Sequence, residues 1–210
     1  RATDAQTGSI DYSNFEQAKK AAERSDSRAM YQLAEMYADG KVVSKNVSEA
    51  TKWLRRSADA GHSEAQSEMG LISLSKAAGL AGDDESAVHF LRDKSKQSEF
   101  ISMILDPQTM QIRNQVALKE STKWLRMAAD QGQDANAQLV LGLLTGAGVG
   151  VKKDPAQAAK WMGLAATKLP VAQALMGLYY FSGFGVEENF AEAARRLREA
   201  AEKDVAMAYG

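Results

Sequence analysis

One segment is written three times in this chain, and that repetition constrains the fold more than any other feature. Trp53 lies in EATKWLRRSADAG, Trp124 in ESTKWLRMAADQG and Trp161 in AQAAKWMGLAATK. A small residue stands three before each Trp (Ala50, Ser121, Ala158), and a small pair follows it (Ser57-Ala58, Ala128-Ala129, Ala165-Ala166). A second segment repeats upstream. Ala29-x-x-x-Leu33-Ala34-x-x-Tyr37-x-x-Gly40 recurs as Ala137-x-x-x-Leu141-Gly142-x-x-Thr145-x-x-Gly148 and as Ala172-x-x-x-Met176-Gly177-x-x-Tyr180-x-x-Gly183. Ala65-x-x-x-Met69-Gly70 is a partial copy. A step of about 36 residues, the scale of helical repeats, lands on positions 29, 65, 101, 137 and 172. The units read 29–64, 65–100, 101–136, 137–171 and 172–206. A polar leader (1–13) and a degenerate capping helix (14–28) precede them. Residues 207–210 stand where a further repeat or a tail would begin.

Each unit reads as two helices. The first carries apolar or small residues at i, i+4 and i+8, one helical face. It stops at Gly40, Gly148 or Gly183, where glycine accepts a left-handed conformation. The second starts at Asn46-x-x-Glu49, Asp154-x-x-Gln157 or Asn189-x-x-Glu192, which resemble capping boxes. Pro155 occupies a first helical position. Two units deviate. Unit two has SKAAGLAGDD as its inter-helix loop and Phe90 in place of Trp. In unit three, Asp106-Pro107 interrupts the first helix, and 107–130 reads as one long helix begun by that cap and proline. Arg196 replaces Trp in the last unit.

The pattern A-x3-L-G-x2-Y-x2-G-x-G-V-x2-D-x3-A-x2-W-x3-A-A-x2-G resembles the Sel-1-like repeat family, a branch of the tetratricopeptide-like solenoids. The resemblance covers residues 29–206. It implies an all-α fold, an α-solenoid of about five stacked antiparallel helix pairs wound as a right-handed superhelix. It also implies a concave groove lined by the first helices. The groove positions would be Arg28, Tyr31, Glu35 and Asp39 in unit one and Glu64, Ser67 and Leu71 in unit two. In unit four they would be Asn136, Leu139 and Leu143, and in unit five Val171, Ala174, Leu178 and Phe181. The expected role is a non-catalytic interaction scaffold holding a protein, peptide or helix, in a bacterial setting. Export to the envelope, secretion or host contact is the alternative that many bacterial relatives suggest. The chain starts at Arg1 rather than Met, which is compatible with export, so an exported or periplasmic place is favoured over a cytoplasmic one. Self-association through an uncovered repeat end is a further expectation, unless a sixth unit covers Leu178 and Phe181.

Composition removes other classes. There is no cysteine, so disulfides, thiolate metal sites and Cys nucleophiles are excluded. His62 and His89 are the only histidines, too few for a multi-histidine metal site. The net charge of -1 suits neither nucleic acid nor an anionic membrane surface. No apolar run is long enough to span a bilayer. Gly146-Ala-Gly148-Val-Gly150 mimics a phosphate loop but has no preceding strand and no Gly-Lys-Ser/Thr ending. Asn46-Val47-Ser48 is a sequon whose Asn also occupies a helix cap. Glu64, Glu68 and Asp83-Asp84-Glu85 read as carboxylates at helix starts, and His62 as a solvated turn residue. Lys19-Lys20 and Lys152-Lys153 are too short for a phosphate-tracking groove. No catalytic residue, cofactor or metal is expected. An enzyme acting on a small molecule or glycan would need carboxylates converging in a pocket, which the repeat pattern does not supply.

Overall fold

The computed structural model describes residues 11, 13–107, 110–131 and 134–209, without the side chains of 94, 95, 97–99 and 204–209. The expected leader falls outside them apart from residues 11 and 13. The described chain is helical, with no strand. A short helix α1 (Phe15–Glu23) opens the array, followed by α2 (Ser27–Asp39) and α3 (Val47–Asp59). Then come α4 (Ser63–Ala77), α5 (Asp84–Arg92), α6 (Lys94–Leu105) and α7 (Gln115–Asp130). The array ends with α8 (Ala135–Ala147), α9 (Pro155–Ala165), α10 (Pro170–Ser182) and α11 (Phe190–Tyr209). The fold is the α-solenoid that the repeat pattern implies.

Capping fixes the helix starts. The side chains of Asn14, Asp26, Asn46, Asp83, Asn114, Asp134 and Asp154 each accept the backbone N–H three residues on. Each satisfies one donor the helix cannot pair internally. At the other end of α2 and α8, Gly40 (φ 72°) and Gly148 (φ 79°) take the left-handed conformation that a Cβ would penalise.

The helix pairs α2·α3, α8·α9 and α10·α11 follow chain order. Small residues let the two backbones approach. A Cβ on Gly142 would sit 3.3 Å from the Ala158 carbonyl oxygen, and one on Gly177 would sit 3.2 Å from that of Ala193. Successive units are tied by buried glutamines: Gln66 Nε2 donates to the Ala58 carbonyl (3.1 Å) and Gln138 Nε2 to that of Ala129 (3.3 Å).

The middle of the array differs from the sequence division. The partner of α4 is α7, not α5, and these two helices pack more extensively than any other pair. Ser121 Oγ donates to the Gly70 carbonyl at 2.8 Å. A Cβ on Gly70 would meet Leu125 Cγ at 2.6 Å. The equivalent contact joins residues 16 apart in the regular units (Gly142 with Ala158, Gly177 with Ala193). Here it joins residues 51 apart. The difference of 35 residues is one repeat length, so an inserted helix pair, α5 and α6, keeps the 36-residue phase without forming a stacked unit. Units 65–100 and 101–136 are therefore corrected to one split unit, α4·α7, with α5 and α6 looped out of it. Five helix pairs remain, the fifth being this insert.

The insert closes at its root, where the Arg113 and Asn114 N–H groups both donate to the Ala77 carbonyl (2.8 and 3.1 Å). Phe90 does not take the place of a Trp. It packs edge-on against Phe100 at 5.8 Å, while Trp124 fills the core beside Ala65, Met69 and Ile72. The long helix expected over 107–130 starts eight residues later, at Gln115, because Asn114 supplies the cap. Residues 207–209 are helical and continue α11.

Candidate functional site

The first helices of successive units, α2, α4, α8 and α10, share one face, and the inserted α6 lies across it. Between them is an open cavity of about 480 Å³. Tyr31, Glu64, Ser67, Leu71, Asn136, Leu139 and Val171, all expected in the groove, line it together. α6 supplies Phe100, Ile101, Ile104 and Leu105 to the opposite wall. Glu35 lines a second cavity of about 480 Å³ on the other flank of α6, with Glu68 and Arg92. Asp39 is exposed and pairs with Arg92 at 2.9 Å. Arg28 is exposed at the start of α2, and Ala174 is half-buried on α10.

Two expected groove residues lie deep in the surface. Leu143 is 7% exposed, lines a further open cavity with Leu105, Leu175 and Leu178, and shares a buried cluster with Ile104 and Met110. Ser67 is 5% exposed, so it contributes to the cavity floor rather than to an accessible rim. Leu178 and Phe181, at the far end, are 50% and 58% exposed, and Phe181 packs edge-on against Phe190 at 5.6 Å.

The polar part of the cavity centres on Glu68, which the repeat pattern did not single out. Glu68 is the sixth residue of α4, beyond the first turn, so the helix-dipole reading applies to Glu64 only. Tyr31 Oη donates to Glu68 Oε1 at 2.9 Å. Burial, and then the nearby Glu35 carboxylate, push the Glu68 carboxyl up to about 7. Burial and the same two carboxylates also raise the Tyr31 phenol. His62 is not the solvated turn residue expected. Its ring stacks on Tyr31 (4.8 Å between centroids, 18° between planes), and burial lowers its pKa. Its Nδ1 lies 3.2 Å from Glu64 Oε2. Arg92, at the end of α5, pairs with Glu35 and Asp39 on α2, and so latches the insert to the first unit.

Sequence reasoning named Glu68 but read it as a helix-start carboxylate, and it missed Arg92, Phe100 and Ile104 because it placed α5 and α6 inside stacked units. The available signal was the absence of the Leu-Gly and glycine-stop elements from 94–114. The acidic run at Asp83-Asp84-Glu85 is structural. Asp83 caps α5. Asp84 pairs with Arg55 (2.8 Å) and Lys76 (2.6 Å), joining α3, α4 and α5 on the outer side. Among the described residues no cluster of His, Asp or Glu could hold a metal ion, and no helix is long and apolar enough to cross a membrane.

A family profile described as Sel1 repeat matches residues 27–62, 118–133, 135–168 and 170–205, more than half of the chain. The unmatched stretch between the first two matches holds α4 and the insert. Similar solved structures include a Sel1 repeat protein from Oxalobacter formigenes, 25% identical over 90% of this chain and 63% of that one, with a TM-score of 0.58. Another is c5321, described as a protective antigen present in uropathogenic Escherichia coli strains and displaying an SLR fold. It is 26% identical over 90% of this chain and 44% of that one, with a TM-score of 0.47. The chain thus spans less than two thirds of the length of either. No curated protein matches it.

Proposed function

The chain belongs to the Sel1 repeat family, whose members are typically protein-interaction scaffolds, and on that premise we propose that it binds a peptide or helical segment of a partner protein in the cavity between α6 and the first helices. Its role on this reading is binding, not catalysis. The observation that carries the reading is the cavity itself. Four units contribute side chains to one continuous surface, and its size suits a few anchoring side chains rather than a whole small domain. Val171 and Ile101 remain 43% and 54% exposed on its two walls, apolar surface of the kind that marks contacts.

The test uses exposed positions, because Leu143 is buried and a charge there would be costly to the fold itself. Peptides selected on the wild-type protein from a random display library should lose binding to Ile101→Asp/Val171→Asp by at least about tenfold, or about 1.4 kcal/mol. Helicity should be unchanged. Undiminished binding by the folded double variant would remove the cavity as the site.

A further inference from the structure

We propose that the partner segment is basic and amphipathic, an apolar helix face flanked by Lys or Arg, and that carboxylates around Glu68 select it. This deepens the interaction reading and rests on it.

The wall of the cavity has two characters. Leu71, Leu139 and Val171 face Ile101 and Ile104 and form an apolar strip. Glu64, Glu68 and Asp134 form an acidic end, and among the described residues no Lys, Arg or His lines the cavity. Two guanidinium groups act from its margins. Arg28 acts on Glu64, and Arg92 acts on Glu68. Arg92 is already held by Glu35 and Asp39. The margin and wall together therefore carry five carboxyl groups against two guanidinium groups. The whole chain has a net charge of only -1, so acidity is concentrated on this face.

Each of these carboxyl groups has one neutral donor of its own, Ser63 for Glu64, Tyr31 for Glu68 and the Ala137 N–H for Asp134. Glu64 and Glu68 come from successive turns of α4, and Asp134 from the cap of α8. An apolar segment lacking a cation would bury these groups without replacing their hydration, which is costly. An acidic segment would meet like charge. A segment with Leu- or Ile-type residues on one face and Lys or Arg one turn away would fill the strip and pair the carboxylates together.

The experiment measures fluorescence anisotropy with two labelled amphipathic peptides of equal length, one of Leu and Lys, the other of Leu and Glu. The Leu/Lys peptide is expected to bind the wild-type protein at least about tenfold more tightly than the Leu/Glu peptide. Glu64→Gln/Glu68→Gln/Asp134→Asn should remove most of that preference, and asparagine keeps the α8 cap. Glu187→Gln/Glu188→Gln, exposed in the last inter-helix loop, should retain it. Equal binding of the two peptides, no binding of either, or a preference equally reduced by the loop variant would each overturn the inference. The interaction reading fails separately, when library-selected peptides bind Ile101→Asp/Val171→Asp as they bind wild type. Selected peptides that need Ile101 and Val171 but carry no excess of Lys or Arg would leave that reading standing and sink this one.

Discussion

The regular unit α8·α9 and the split unit α4·α7 use the same contact with different connectivity. In the first, six residues, 148–153, separate the first helix from the cap of the second. In the second, the helices are separated by an insert of one repeat length, yet Gly70 still receives Ser121 and Leu125 as Gly142 receives Ala158. Packing complementarity, not chain proximity, selects the partner. The entropy of closing a longer loop rises only slowly with length, so a well-matched interface tolerates the insertion. One helix of the insert, α6, then lies across the concave face of the first helices, while α5 packs on α3 and α4. Where the units are regular, at α10, that face stays bare at Leu178 and Phe181.

The strongest test of this equivalence is excision. Replacing residues 79–113 with the loop sequence of 148–153 should give a chain that still melts in one cooperative transition, followed by circular dichroism. The melting temperature should fall, because burial of Phe90, Phe100 and Ile104 is lost, at about 1.5–3 kcal/mol each. Non-cooperative melting would show that α4 and α7 need the insert to stay paired.

Next in size, Gly70→Val should destabilise by about 1–3 kcal/mol in urea unfolding, since its Cβ would lie 2.6 Å from the buried Leu125 Cγ. Gly163 in α9 has nothing within 4 Å of its would-be Cβ. Gly163→Ala should therefore stabilise by up to about 1 kcal/mol through helix propensity. Comparable effects at the two positions would mean that the α4·α7 contact is not the tight one.

Glu68 separates the two regions by pH. Tyr31 and Glu35 from α2, Arg92 from α5 and Asp134 before α8 face it. Its carboxyl titrates near 7 in the fold against an ordinary value of 4.5. Between those values the folded state holds a proton that the unfolded state has lost, so stability declines as pH rises through this window and levels off above it. The decline attributable to Glu68 should not exceed about 3 kcal/mol, and Glu68→Gln should abolish it. Stability that rises from pH 5 to pH 7 in the wild type and not in Glu68→Gln would contradict the burial of this group.

The smallest effect concerns the caps. Asn114→Ala at the split unit and Asp154→Ala at the regular one should each cost about 1 kcal/mol. A much smaller loss at Asn114 would mean that α7 is anchored by its core contacts alone.

Much of this protein is written in its local sequence. The three Trp segments, the glycine stops and the Asn or Asp caps are set by short-range chemistry, and they appear in the structure where the repeat pattern puts them. The same pattern brings Tyr31, Glu64, Leu71, Leu139 and Val171 to one cavity. Periodicity could not decide which copy pairs with which, because inserting one whole period leaves the phase unchanged. That choice depends on the fit of Gly70 against Leu125, a contact between residues far apart in sequence. Tertiary packing alone then buries Leu143 in a cluster with Ile104 and Met110, stacks His62 on Tyr31 and encloses Glu68, since each outcome depends on what a distant segment covers.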